Sequence, residues 1–259
     1  MIGQRARWRE VLGLDTSASL RSGEDASRFP HGVGFRQVTG GRRLPDVVRR
    51  LPKAQAAVAY ARLQHAGQRR STDGAPFIEH PLEVGLLLYR AGAPDDVIAA
   101  GVLHDVLEKT GVSVAELRTR FGSHIAQLVA AVSEDDNIRE YEQRKAALRD
   151  QVAVAGPDAM TVFAADKVSK LRELRAAIAG AGKRRAPLEK SWVPPRRLTH
   201  FRRCLGVLEG RMSESPLVGQ LRTELVGLRE DLRSYNEIPC AAAGSPARGR
   251  PDDSTAERG

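Results

Sequence analysis

Apolar residues along this chain recur at spacings of three and four, and nowhere do they alternate cleanly with polar ones over the length of a strand. The pattern predicts an all-α fold. Regular periodicity begins near Pro45 and runs to Ala66 through Val47, Val48, Leu51, Val58, Ala61 and Leu63, with Pro52 breaking or restarting the helix. Residues 67–79, GQRRSTDGAPFIE, read as a Gly- and Pro-punctuated loop. A helix is expected from Pro81, in its first turn, to about Arg90. After a turn at Gly92 and Pro94, a nearly all-apolar helix should run from Pro94 to about Lys109 and lie centrally in the core.

Ser113 followed by Glu116 has the form of a capping box for a helix over 114–121, ended by Gly122, and Ser123 can cap the next helix through Val132. The polar stretch SEDDN precedes a charged helix from about Ile138 to Val154. Pro157 opens a long helix to about Ala179, residues 180–195 read as a linker, and two helices over about 196–211 and 216–234 close the pattern. No repeat of fixed period occurs.

The 259 residues are 41% hydrophobic, enough for one large domain or two small ones. Residues 1–44 lack sustained periodicity and 237–259 are rich in Ala, Gly, Ser, Pro and Arg, so both are expected to be disordered extensions of a domain spanning 45–236. Two cysteines, Cys204 and Cys240, make neither a disulfide framework nor a zinc ribbon alone, which points to a reducing compartment. With no membrane-length apolar run and no signal-peptide core, a cytoplasmic protein is expected.

The formal charge of +9 is uneven: residues 1–50 hold ten Arg against five acids, and 183–203 hold eight basic residues against Glu189. Solvated basic tails, a nucleic-acid partner and attraction of a small polyanion are the readings open to it. Neither segment has interleaved aromatics or a recognisable reading helix, which argues against nucleic acid.

The informative residues are polar ones inside apolar helices. His104 and Asp105 interrupt VIAAGVLHDVLE, Glu108 shares their helical face, and Asp166 interrupts AMTVFAADKV. A buried carboxylate without a partner is costly. Imidazole and carboxylates converging from separate helices suit a divalent cation. A His-Asp dipeptide taken alone is common by chance; its burial within apolar helices is what gives it weight.

HAGQ at 65–68, Arg70, GAPFIEHP at 74–81, VLHDVLEKT at 102–110, FG at 121–122 and AADKVSKLREL at 164–174 occur in an order that resembles the HD-domain hydrolases of the RelA/SpoT type. The resemblance runs from about residue 50 to 235. It implies an HD-domain helical bundle that removes the 3′-diphosphate from the guanine nucleotide (p)ppGpp, giving GDP or GTP and pyrophosphate, as a small stand-alone enzyme. It further implies metal ligands at His80, His104, Asp105 and Asp166, with manganese as the cofactor. Glu108 matches the first member of a catalytic Glu-Asp pair, and Lys109 occupies the place of the second.

Arg70 matches a substrate-contacting arginine, and Phe77 stands where a tyrosine is common. Arg144 and Lys145 either reach phosphates or form a solvated helix face. Lys170 replaces an asparagine that helps hold the nucleotide, and Ser71 a second basic residue; His65 matches a structural position rather than a ligand. Lys109 and Lys170 each follow a ligand aspartate by four residues, a spacing that lets the ammonium reach back to the carboxylate. Two functions compete on this basis: a metal-dependent nucleotide phosphohydrolase, and a catalytically inactive HD-domain module that binds nucleotide or protein.

Overall fold

The computed structural model describes residues 43–184 and 194–236. The two predicted extensions, Leu44 and its neighbour excepted, lie outside the described residues, as does 185–193 of the predicted linker. Leu44 is buried in the core and opens α1 (Leu44–Val47), which passes through one 3₁₀ turn (Val48–Arg50) into α2 (Pro52–Gln64). Pro52 therefore restarts a helix, as its missing N–H allows at a first helical position. The helices that follow are α3 (Glu79–Arg90), α4 (Asp95–Leu103), α5 (Val106–Lys109), α6 (Val114–Phe121), α7 (Ser123–Val132), α8 (Tyr141–Ala155), α9 (Pro157–Arg184), α10 (Pro195–Met212) and α11 (Pro216–Asn236). Among the described residues there is no strand, only an isolated antiparallel bridge between Arg69 and Pro76.

Helix α9 is the axis of the bundle. It packs on α3, α4, α7, α8, α10 and α11, and buries Phe163, Val168, Leu171 and Leu174 along its length. It continues to Arg184, past the end that the Gly-rich sequence after Ala179 predicts. Two close approaches tighten the layer formed by α3 and α4. A Cβ added at Gly101 would lie 2.1 Å from the Leu88 Cδ1, and one added at Gly85 would lie 2.7 Å from Val102 Cγ2.

The expected single helix over 94–109 is divided. It ends at Leu103, turns through His104 and Asp105, and resumes as α5. The His104 side chain supplies the cause: its Nδ1 donates to the Gly101 carbonyl at 2.8 Å. That is the acceptor the Asp105 amide would use in an uninterrupted helix.

The other differences are of capping. Ser113 Oγ accepts from Glu116 N–H at 3.2 Å, but the Glu116 carboxylate turns to Tyr60 and Arg120, so half of the capping box forms. Gly122, at φ 87°, caps α7, with Ser123 as its first residue. Glu140 caps α8, accepting from Glu142 and Gln143 N–H, which moves that helix's start three residues beyond Ile138.

Candidate metal centre

Four elements bring the predicted ligands together. His80 comes from the first turn of α3, His104 and Asp105 from the break between α4 and α5, and Asp166 from the middle of α9. His80 Nε2 lies 3.2 Å from His104 Nε2 and 3.2 Å from Asp166 Oδ1. Asp105 Oδ2 is 3.3 Å from His104 Nε2 and 3.7 Å from His80 Nε2. His80, His104 and Asp166 each offer a ligand atom within 4.8 Å of the others.

The outer faces of both rings fix the state of the inner ones. A carbonyl can only accept, so His104 Nδ1 carries the proton it donates to Gly101. Ser169 Oγ donates to Glu83 Oε2 at 2.8 Å, which leaves it to accept from His80 Nδ1 at 2.9 Å. With the outer nitrogens so engaged, a neutral ring would present its Nε2 lone pair towards the other, as a metal ligand must. Two lone pairs and two carboxylates facing one point repel unless a positive charge joins them. The mixed N/O donor set fits a divalent cation, whose bonds to such ligands are about 2.0–2.2 Å.

The two carboxylates make the centre attractive to positive charge, whether a cation or a proton on His104. Burial opposes charge on the His104 ring, but the Asp105 and Asp166 carboxylates outweigh it and raise its pKa to about 9. Burial likewise opposes charge on Asp166, yet Lys167 and the two histidines hold its carboxyl well below the usual range.

The cluster forms the floor of a cavity of about 490 Å³. Arg70, Phe77, Glu108, Lys109, Lys145 and Lys170 line it, so most of the residues singled out in the sequence meet here. Glu108 Oε1 accepts from the Glu134 N–H at 2.7 Å. Burial, reinforced by the Asp105 and Glu134 carboxylates, raises the Glu108 pKa despite that bond.

A match to the HD-domain family model covers residues 57–190, half of the chain and all of the cluster. The chain belongs to the HD-domain family. Human guanosine-3′,5′-bis(diphosphate) 3′-pyrophosphohydrolase MESH1 is 34% identical over 121 residues, which are 46% of this chain and 67% of MESH1. The guanosine-3′,5′-bis(diphosphate) 3′-pyrophosphohydrolase of Aquifex aeolicus is 33% identical over 109 residues, 42% of this chain but 16% of that longer protein. Among solved structures, a metazoan ortholog of SpoT that hydrolyzes ppGpp shares the fold, with a TM-score of 0.54 and 24% identity over 70% of this chain and 94% of that one. A Listeria monocytogenes EGD-e protein gives a TM-score of 0.52 and 26% identity over 60% and 98%.

Within this HD domain the two lysines behave differently. Lys109 Nζ stands 3.8 Å from Asp105 Oδ1 and 5.3 Å from the Phe77 ring centroid, so the expected reach back to the carboxylate occurs. Lys170 turns instead to Glu173, at 2.9 and 3.0 Å, and Lys167 takes Asp166 Oδ2 at 2.6 Å. Glu173 is buried and needs a cation nearby, whereas Asp166 already has its own.

Arg144 lies away from the cavity wall, tied to Glu134 and to the Ile138 and Arg139 carbonyls, while Lys145 lines the wall and also pairs with Glu134. Arg70 is held by Asp73 and Glu79. His65 stands outside the cluster, donating Nδ1–H to Gln68 Oε1, and Gln68 in turn donates to the Lys109 carbonyl.

Sequence reasoning missed Lys167, Glu134, Ser169 and Glu83. Ser169 carries a signal in the sequence, a hydroxyl three residues beyond Asp166 and so on the same face of the helix. Among the described residues no helix is long and apolar enough to cross a membrane.

Proposed function

We propose that this HD-domain protein is a divalent-metal-dependent phosphohydrolase that removes the 3′-diphosphate from guanosine-3′,5′-bis(diphosphate), releasing a guanine nucleotide and pyrophosphate. The observation that carries the reading is the convergence of two imidazole Nε2 atoms and two carboxylates beside half-buried Glu108, whose pKa is raised. The similarity to MESH1 supports the substrate. Manganese suits the mixed donor set of His80, His104, Asp105 and Asp166. When bound, a divalent cation supplies Lewis-acid activation of water and neutralises phosphate charge.

The chain's own groups do the rest. Glu108 is anchored through Oε1, leaving Oε2 to take a proton from the attacking water; its raised pKa strengthens it as a base. Arg70, Lys145 and Lys170 offer positive charge to the phosphates from the cavity wall, and Phe77 an apolar surface to the nucleoside.

One observation favours a second reading, a domain that binds the nucleotide without turnover. The Lys109 ammonium faces Asp105, and at 4 Å with an effective dielectric near 20 a unit charge is worth about 4 kcal/mol before solvent screening of this exposed group reduces it. The test is pyrophosphate release from ppGpp with added Mn²⁺, for the natural chain beside Lys109→Asp. Release by the natural chain that a chelator abolishes supports the enzyme. Release by the variant alone establishes the second reading, and metal-loaded but inert proteins would refute the substrate.

A further inference from the structure

We propose that Ser169 and Glu83 are positioning residues that set the metal-binding state of His80. The two imidazoles of the cluster are oriented by different means. His104 leans on a backbone carbonyl, which admits only one tautomer. His80 leans on a hydroxyl, which can donate or accept and so specifies nothing by itself. Glu83 removes the ambiguity. Its Oε2 lies 2.8 Å from Ser169 Oγ and, as a carboxylate, only accepts. The hydroxyl proton is thereby committed outward, and the hydroxyl's lone pair is left for the His80 Nδ1–H.

The commitment matters because the alternative is attractive. With Nδ1 unpartnered, the ring's proton would sit on Nε2, where Asp166 Oδ1 waits at 3.2 Å to accept it. That bond is a good one, and it turns an N–H towards the place where a ligand lone pair is needed. The relay thus competes against the cluster's own carboxylate. Ser169 and His80 are both buried, so bulk water does not replace the hydroxyl. Glu83 is steadied in turn by Arg172, whose Nη1 is 3.5 Å from Glu83 Oε1 and whose Nε holds Glu224 of α11 at 2.8 Å. The line Arg172, Glu83, Ser169, His80 runs from the α9–α11 contact to the inner face of the cavity. Neither Ser169 nor Glu83 touches the substrate space, so their effect passes through His80.

The inference rests on the metal reading above, and its test separates the two. Mn²⁺ affinity of the full chain is measured by competition with a fluorescent chelator, and metal-free stability by thermal melting in EDTA. Ser169→Ala is expected to bind Mn²⁺ about 10–100-fold more weakly, the usual cost of losing such an outer partner. Ser169→Thr, which keeps the hydroxyl, should recover most of that loss, and Glu83→Gln should fall between. Ser169→Ala with natural Mn²⁺ affinity overturns the inference, whether or not its metal-free melting point drops, since a drop alone would mark a merely structural serine. A natural chain that binds no divalent cation overturns the metal reading and the inference together.

Discussion

Gly101→Ala tests how closely the fold and the cluster are joined. The new Cβ would lie 2.1 Å from Leu88 Cδ1 and 3.3 Å from Val84 Cγ1. Leu88 and Val84 are fully buried on α3, so neither has open space to rotate into. Carbon atoms in ordinary contact stand about 3.5–4.0 Å apart, so α3 and α4 must separate or Leu88 must leave its rotamer. Overpacking of this kind costs about 1–3 kcal/mol. Alanine returns up to about 1 kcal/mol through its better helix propensity. The net loss should be about 1–2 kcal/mol in urea unfolding with EDTA present, or a melting point lower by roughly 2–8 °C for a domain of this size.

The same strain displaces the Gly101 carbonyl, which holds the His104 ring at 2.8 Å, so Mn²⁺ affinity should fall as well. Unchanged urea stability would refute the reasoning, because it would mean that the α3–α4 contact has slack. Lost stability with natural Mn²⁺ affinity would show that the His104 anchor is independent of that packing.

Three further outcomes are expected. Glu108→Gln should lower pyrophosphate release by about 10²–10⁴-fold, the usual loss for a general base, while Mn²⁺ affinity stays near natural; equal rates would remove Glu108 from the chemistry. His200 is buried, beside Lys167, Lys145 and Arg149, and its pKa is lowered to about 2. The unfolded chain then takes up a proton that the folded one refuses, so stability is full above about pH 6.5 and falls below it by about 1.4 kcal/mol per pH unit. His200→Gln should flatten urea stability between pH 6 and 5, and an unaltered slope would disprove the assignment. Phe163→Leu keeps much of the buried apolar volume but removes the ring 4.4 Å from Lys167 Nζ. A loss of about 2 kcal/mol in chemical unfolding is expected, and an equally stable variant would show that the ring contributes only volume.

Most helix starts are legible in the sequence because proline and capping residues mark them: Pro52, Pro157, Pro195 and Pro216 each open a helix, and Ser113 caps one. His104, Asp105 and Asp166 stand out in the sequence for a related reason, since charge inside an apolar helix demands compensation, whereas His80 is singled out only by the family resemblance. The break at His104 is not legible, because Val97 to Glu108 has neither Gly nor Pro at the break. It comes from a side chain competing with the backbone for one carbonyl. The partner of Asp166 is misread for a similar reason. Spacing favours Lys170, but the buried Glu173 three residues on captures it, and the adjacent Lys167 folds back instead. Glu134 and Glu83 reach the site from other elements, and no local pattern announces a contact across 26 or 86 residues.

Helix α9 carries Asp166, Lys167, Ser169, Lys170 and Glu173 within two turns, and each of them holds a polar partner. A rigid helix converts sequence count directly into angle, 100° per residue for 3.6 residues per turn. Point replacements along it can be absorbed one contact at a time. A single inserted or deleted residue between Pro157 and Asp166 cannot, because it would swing all five groups round the axis together and turn the stripe of Phe163, Val168 and Leu171 out of the core. Change in length should therefore be confined to the loops at 67–79 and 133–140, while α9 varies only in its letters.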